Sequence, residues 1–204
     1  MACRWQGGCI YRRCLPHNQD ERLRRAGYGC FWGLGQARNI AEPLIGKLQT
    51  NQRAELQAVI ATLQVESRPV EIRTDSKCVM RGVEQLVRWR RRGWLELDYG
   101  DLWEALDGLL LARAPDTVGF VKVKGHAKWS DVNSGKVTLA DKRGNDAADV
   151  LARRGAAAHA LDAGYVSRVR HAKRLAVAVQ SMMVDIIQAR SDCGVATVAC
   201  DGDE

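Results

Sequence analysis

The 204 residues are 46% hydrophobic and 27% charged, enough to bury a sizeable core and unlike the depleted composition of a disordered chain. With 31 Lys and Arg against 24 Asp and Glu the net charge is +7, which favours a polyanionic partner because each neutralised phosphate releases counterions. No apolar run approaches the ~20 residues of a membrane span, and the opening MACRWQGGCIYRR lacks the apolar stretch of a secretory signal. The seven cysteines (3, 9, 14, 30, 78, 193 and 200) include no C-x-x-C pair, so neither a zinc cage nor a redox motif is indicated. They read as reduced thiols of an intracellular protein.

Taken in chain order, apolar runs around Cys9–Tyr11, Gly27–Gly33 and Arg38–Gly46 predict three strands separated by turns. The charged stretch HNQDERLRRAG predicts a solvated loop between the first two. From Thr50 the pattern becomes helical, with Leu56, Val59, Ile60 and Leu63 on one face and Thr50 or Asn51 as N-cap. Pro69–Arg73 alternates as a strand ending at Thr74-Asp75-Ser76, and Ser76 is placed to cap a helix through Val79, Val83 and Leu86. A helix over Leu102–Leu111, a strand over Val118–Val123 and an Ala-rich helix from about Asn145 to Ala158 complete this region. Strands first, then strands interleaved with helices, imply a mixed α/β sheet with helices on its faces. After about Asp162 the pattern changes to one long helix, Arg168–Arg190, with a basic first half, and the chain ends in the acidic Cys200-Asp-Gly-Asp-Glu204.

Three acids fall where such sheets bind ligands: Glu55 in the first turn of a helix, Asp75 at the end of a strand and Asp149 near the start of a late helix. Taken singly, each has an ordinary explanation, in the helix dipole, a turn and cap, or a surface position. Gathered together, carboxylates repel one another and call for a hard cation such as Mg²⁺.

The runs LQTNQRAELQAV, IRTDSKCVMRGV, WRRRGW, VKVKGHA and GNDAADVLA, in that order, closely resemble the type 1 ribonuclease H family over about Tyr11 to Ala158. The resemblance implies a ribonuclease H-like fold, a five-stranded mixed sheet with flanking helices, over residues 1–160, with residues 161–204 as a C-terminal helical extension. It implies cleavage of the RNA strand of RNA/DNA hybrids, leaving 5′-phosphate and 3′-hydroxyl ends, with Mg²⁺ or Mn²⁺ as cofactor in a two-metal mechanism. Glu55, Asp75 and Asp149 correspond to three of the family's four metal-binding acids. His126 corresponds to a loop histidine that assists proton transfer and product release. Asn51 and Gln52 correspond to residues that read the hybrid's minor groove, where 2′-hydroxyls mark the RNA. Lys47 and Thr50 are placed to touch phosphate, Asn145 corresponds to a family asparagine near the phosphate pocket, and Trp89, Arg90, Arg91, Arg92 and Trp94 match the family's basic protrusion.

Two departures bear on activity. The family's fourth acid belongs on the first strand, where Ile10-Tyr11-Arg12-Arg13-Cys14 places Arg13. At ~4 Å and an effective dielectric near 20, each unit-charge interaction is worth about 4 kcal/mol, so this exchange weakens metal binding and slows cleavage by orders of magnitude. Asp20 or Glu21 standing in, or an incorrectly assigned chain start, are the alternatives. A catalytically impaired module that still binds RNA/DNA or RNA duplexes is therefore the second function carried forward. The other departure is the stretch KWSDVNSGKVTLADKRG after His126, which predicts an enlarged, solvated flap. A monomer is expected. For the extension, packing on the domain, binding a protein partner and being the remnant of a retroelement polyprotein all stay open.

Overall fold

The computed structural model describes Cys3–Gln6 as backbone and residues 20–193 in full. The strands are β1 (Cys3–Gln6), β2 (Gly27–Cys30), β3 (Ile40–Pro43), β4 (Val70–Thr74) and β5 (Val118–Lys122). The helices are α1 (Asn51–Val65), α2 (Lys77–Arg92), α3 (Gly100–Leu111), α4 (Trp129–Asn133), α5 (Leu139–Ala157) and α6 (Ala163–Asp192). Residues up to Ala160 form one compact unit, and those from Leu161 onward form another.

Local chemistry sets the helix starts. Thr50 accepts a hydrogen bond from Arg53 N at 3.4 Å, Ser76 from Val79 N at 3.1 Å, Thr138 from Asp141 N at 3.0 Å and Asp162 from Tyr165 N at 2.8 Å. Each side-chain oxygen satisfies one of the amides left over at a helix beginning. Thr50 and Ser76 are the caps the sequence predicts.

Within the first unit β4 is central, parallel to β1 on one side and to β5 on the other. Its buried Val70, Ile72 and Thr74 alternate with half-buried Glu71 and Arg73. Strands β2 and β3 pair antiparallel, Gly27 opposite Pro43 and Cys30 opposite Ile40. The described residues thus make a three-stranded and a two-stranded sheet rather than one continuous five-stranded one. Helix α1 is buried nearly all round, with Ala54, Leu56 and the whole run Ala58–Leu63 inside, so it is the spine of the core between strands and helices. Helix α5 packs on β1, β2 and β3. It lies so close that a Cβ at Gly29 would sit 2.4 Å from the Ala148 carbonyl oxygen, so a glycine is needed at this crossing.

Several predicted boundaries move. The strand paired with β4 is Cys3–Gln6, earlier than the expected Cys9–Tyr11 run, which lies with Arg13 outside the described residues. Helix α5 begins at Leu139, not near Asn145, because Thr138 caps it and Arg73 pairs with Asp141 in its first turn. The predicted flap is consequently ordered chain: helix α4, a turn, and the first two turns of α5. Glu55 is the fifth residue of α1 and so belongs to its second turn, and Asp149 lies in the middle of α5. The second unit is α6, a single 30-residue helix on which Val166 is the one buried residue. Among the described residues no helix is long and apolar enough to cross a membrane. The acidic C-terminal tail lies outside the described residues.

Candidate active site

Strand β4 ends at Thr74, delivering Asp75 at the sheet edge just before the Ser76 cap of α2. The second turn of α1 brings Glu55 beside it. Burial pushes the Glu55 carboxyl up to about 7, the Asp75 charge adds to the rise, and a hydrogen bond from Ser76 and the nearby Lys122 charge oppose it. Asp75 is also raised by burial, against the opposing charges of Lys122 and His126. Its Oδ1 is buried and accepts no hydrogen bond from any described residue. Opposite the carboxylate runs the loop after β5. Gly125 stands so near that a Cβ there would lie 2.2 Å from Asp75 Oδ2. The next residue, His126, is exposed and holds φ at 51°, a left-handed conformation that costs about 1 kcal/mol outside glycine.

Two like charges side by side, one with an orphaned buried oxygen, are the chemistry of a hard-cation site, and this pair fits Mg²⁺ or Mn²⁺ as two of its ligands. Asp149 and Asn145 are both buried on α5, one helical turn apart, and both amide atoms of Asn145 lack partners among the described residues. Yet no group of three or more His, Cys, Asp or Glu side chains among the described residues stands close enough to hold a metal. The side chains brought together are Glu55, Asp75 and His126. Of the alternative donors in the preceding loop, Asp20 holds Arg22 at 2.9 Å, and Glu21 is exposed and pairs with Arg24.

Beyond the carboxylates a groove of about 540 Å³ is lined by Gln52, Lys77, Arg81, Trp89, Tyr99 and Trp103. Trp89 meets Trp103 with ring centroids 5.1 Å apart and planes tilted by 60°, a favourable aromatic pair. Thr50 donates to the Tyr99 hydroxyl at 2.9 Å, and Arg53 pairs with Asp101, so the start of α1 is fastened to the start of α3. Of the other predicted nucleic-acid contacts, Lys47, Arg91 and Arg92 are exposed, and Asn51 and Trp94 are half-buried. Arg90 has a partner within the fold. It makes two hydrogen bonds, 2.7 and 2.6 Å, to the buried Asp107 of α3, and so braces the protrusion from behind.

Sequence reasoning missed Lys122, Gly125, Tyr99 and Trp103. Lys122 ends β5, and its ammonium donates to the Asp75 main-chain carbonyl. The motif VKVKGHA contains both Lys122 and Gly125, but nothing in it tells which lysine turns toward the acids. The described thiols Cys30, Cys78 and Cys193 are free, and burial pushes that of Cys30 up to about 12, which makes it inert.

The model of the RNase H family matches residues 16–157. A ribonuclease HI of Caulobacter vibrioides is 44% identical over 86 residues, 38% of this chain and 56% of that protein. A ribonuclease H of Yersinia pestis is 36% identical over 160 residues, 74% of this chain and 82% of that protein. The chain thus spans little more than half of the former and most of the latter. The solution structure of the PFV RNase H domain superposes with a TM-score of 0.50 at 20% identity, over 76% of this chain and 96% of that domain, a likeness of fold.

Proposed function

Because the chain belongs to the ribonuclease H family, we propose that it hydrolyses the RNA strand of RNA/DNA hybrids endonucleolytically, with Glu55 and Asp75 as ligands of a divalent cation, Mg²⁺ or Mn²⁺. Asp149, from α5, is the third acid of this reading. One observation carries it: Glu55 and Asp75 stand side by side, like-charged and partly desolvated, with an orphaned Asp75 oxygen. Bound there, the cation supplies charge stabilisation to a phosphodiester under attack. The protein's own groups do the remaining work. Gly125 lets the loop close on Asp75, and His126 is exposed at its turn to pass a proton at the scissile bond. Asn51 and Gln52 at the head of α1 read the minor groove. The tryptophan-lined groove and the Arg91–Arg92 edge take the DNA strand, with Lys47, Thr50 and Asn145 as phosphate contacts. Helix α5 packs on β1 as well as on β2 and β3, which supports reading the two strand groups as one five-stranded mixed sheet. Residues 1–160 are the nuclease domain of this reading and 161–204 its extension.

The test is direct. Purified chain with Mg²⁺ or Mn²⁺ is expected to cut a labelled RNA/DNA hybrid while leaving single-stranded RNA and duplex DNA intact, and Asp75→Asn to leave the hybrid whole. A folded protein that leaves every hybrid uncut with either ion refutes the proposal. A second reading, a hybrid-binding module with impaired catalysis, is favoured by one observation: no third acid completes the pair among the described residues. It expects salt-dependent hybrid binding that Asp75→Asn does not change.

A further inference from the structure

Helix α6 carries an apolar surface that the proposed function leaves unused. Its 30 residues span about 45 Å, yet Val166 is the one residue it buries. A helix draws most of its stability from packing one face on a partner. Between Arg174 and Arg190 the only charged residue is Asp185, while Leu175, Val179, Met182 and Ile186 are each between 43% and 58% exposed. Apolar residues recur at alternating spacings of three and four: Ala172, Leu175, Val179, Met182, Ile186, Ala189 and Cys193. This is the seven-residue repeat by which helices coil around one another, and no charged residue interrupts its seam.

The chemistry along the seam selects the partner. Val179 and Ile186 are β-branched, whereas Leu175 and Met182, which alternate with them, are not, and that alternation favours two parallel strands. Asp185 and Arg190 flank the seam on opposite sides. Five positions apart, they are not neighbours on one helix, and neither forms an ion pair among the described residues. When two copies lie parallel and in register, the aspartate of each stands opposite the arginine of the other, twice by symmetry. An antiparallel pair would set each flank against its own kind. The cations Arg168, Arg170, Lys173 and Arg174 precede the apolar half instead of lining one face of it, as a helix resting on a lipid surface requires.

We propose that α6 pairs with α6 of a second copy of this chain as a parallel two-stranded coiled coil, closed by the seam over residues 172–193 and by Asp185–Arg190 ion pairs between the chains. The monomer expected from the sequence thereby gives way to a homodimer that carries two copies of the first unit.

Sedimentation equilibrium of the full chain in reducing buffer, from about 1 to 100 µM, is expected to show a reversible monomer–dimer equilibrium. Ile186→Asp, which puts a charge into the seam, is expected to weaken dimerisation at least about hundredfold. Asp185→Arg is expected to weaken it about tenfold, and adding Arg190→Asp to restore it to within about threefold of wild type. That restoration separates a lost ion pair from a helix that the first substitution merely unfolds. A chain still monomeric at about 100 µM overturns the proposal, and co-sedimentation of that monomer with phosphatidylcholine–phosphatidylglycerol vesicles makes lipid the occupant instead. A trimer or larger assembly, or a dimer that Ile186→Asp leaves intact, overturns it equally. Tighter association of Asp185→Arg, or no rescue by the exchanged pair, overturns the parallel arrangement.

Discussion

Helix α1 carries a buried or half-buried glutamate at each end, and the two are treated in opposite ways. At its C-terminal end Glu66 is 2% exposed and receives the guanidinium groups of Arg38 and Arg68, each at 2.8 Å. The hydrogen bond from Arg68, aided by both positive charges, holds its carboxyl down at about 2. Arg113 closes the same end by donating to the carbonyls of Leu63, Glu66 and Arg68. At the N-terminal end Glu55 has no arginine partner among the described residues: burial first, and then the Asp75 charge, push its carboxyl up to about 7. One glutamate has its charge matched by the fold. The other is held where the fold leaves the charge in excess, which is what a site for an external cation requires. Burial raises a carboxyl unless a cation answers it, as the two arginines do at Glu66 and none does at Glu55 among the described residues.

Substitutions at the two ends of α1 put this contrast to experiment. The largest effect is expected from Glu55→Gln in a hybrid-cleavage assay, where the rate should fall by about 10³-fold or more, about 4 kcal/mol of transition-state stabilisation, with the melting behaviour of a folded protein. An activity within tenfold of wild type would remove Glu55 from the chemistry.

Next in size, Glu66→Gln should cost about 2–3 kcal/mol in urea unfolding at pH 7 and leave the cleavage rate per folded molecule nearly unchanged. Because the folded value is lowered, from 4.5 to about 2, this stabilisation is fully present above about pH 4.5 and is lost as the pH falls toward 2. The difference between variant and wild type should therefore vanish in acid.

Smaller and of opposite sign, Glu55→Gln should raise the stability of the metal-free protein at pH 8 by about 1–2 kcal/mol, after allowance for partial solvent screening. Here the folded value is raised, so wild type has its full stability below about pH 4.5 and loses it as the pH climbs through about 7. Unfolding curves at pH 4 and pH 8 check the sign, and a variant less stable than wild type at pH 8 would contradict it. The smallest effect is expected of Arg68→Ala: the arginine is half exposed and Arg38 still holds Glu66, so the loss in the same urea assay should stay under about 1 kcal/mol.

Several of these features are legible in the chain itself. Thr50 and Ser76 announce two helix starts because a hydroxyl before an apolar-periodic run has one common local use, and Val70, Ile72 and Thr74 announce β4 by alternation alone. The motifs containing Glu55, Asp75 and His126 mark the acids and the loop that the fold brings together. Local signals fail where a distant group decides. Helix α5 starts at Leu139 behind the local Thr138 cap, but Arg73, 68 residues earlier in the chain than Asp141, also holds that aspartate in its first turn, which no local signal shows. The arginine run marks Arg90 as a candidate nucleic-acid contact, and only the fold reveals that Asp107 of α3 also holds its guanidinium.

The family, the helix caps, the central strand and the types of acid in the site are all written in the order of residues, since each depends on neighbours within a few positions of the chain. Which charges meet is settled by the folded arrangement instead. That Glu66 is neutralised by two arginines while Glu55 is set against Asp75 and Lys122 depends on strand register and loop approach, because electrostatic energy follows distance in space and burial rather than distance along the chain.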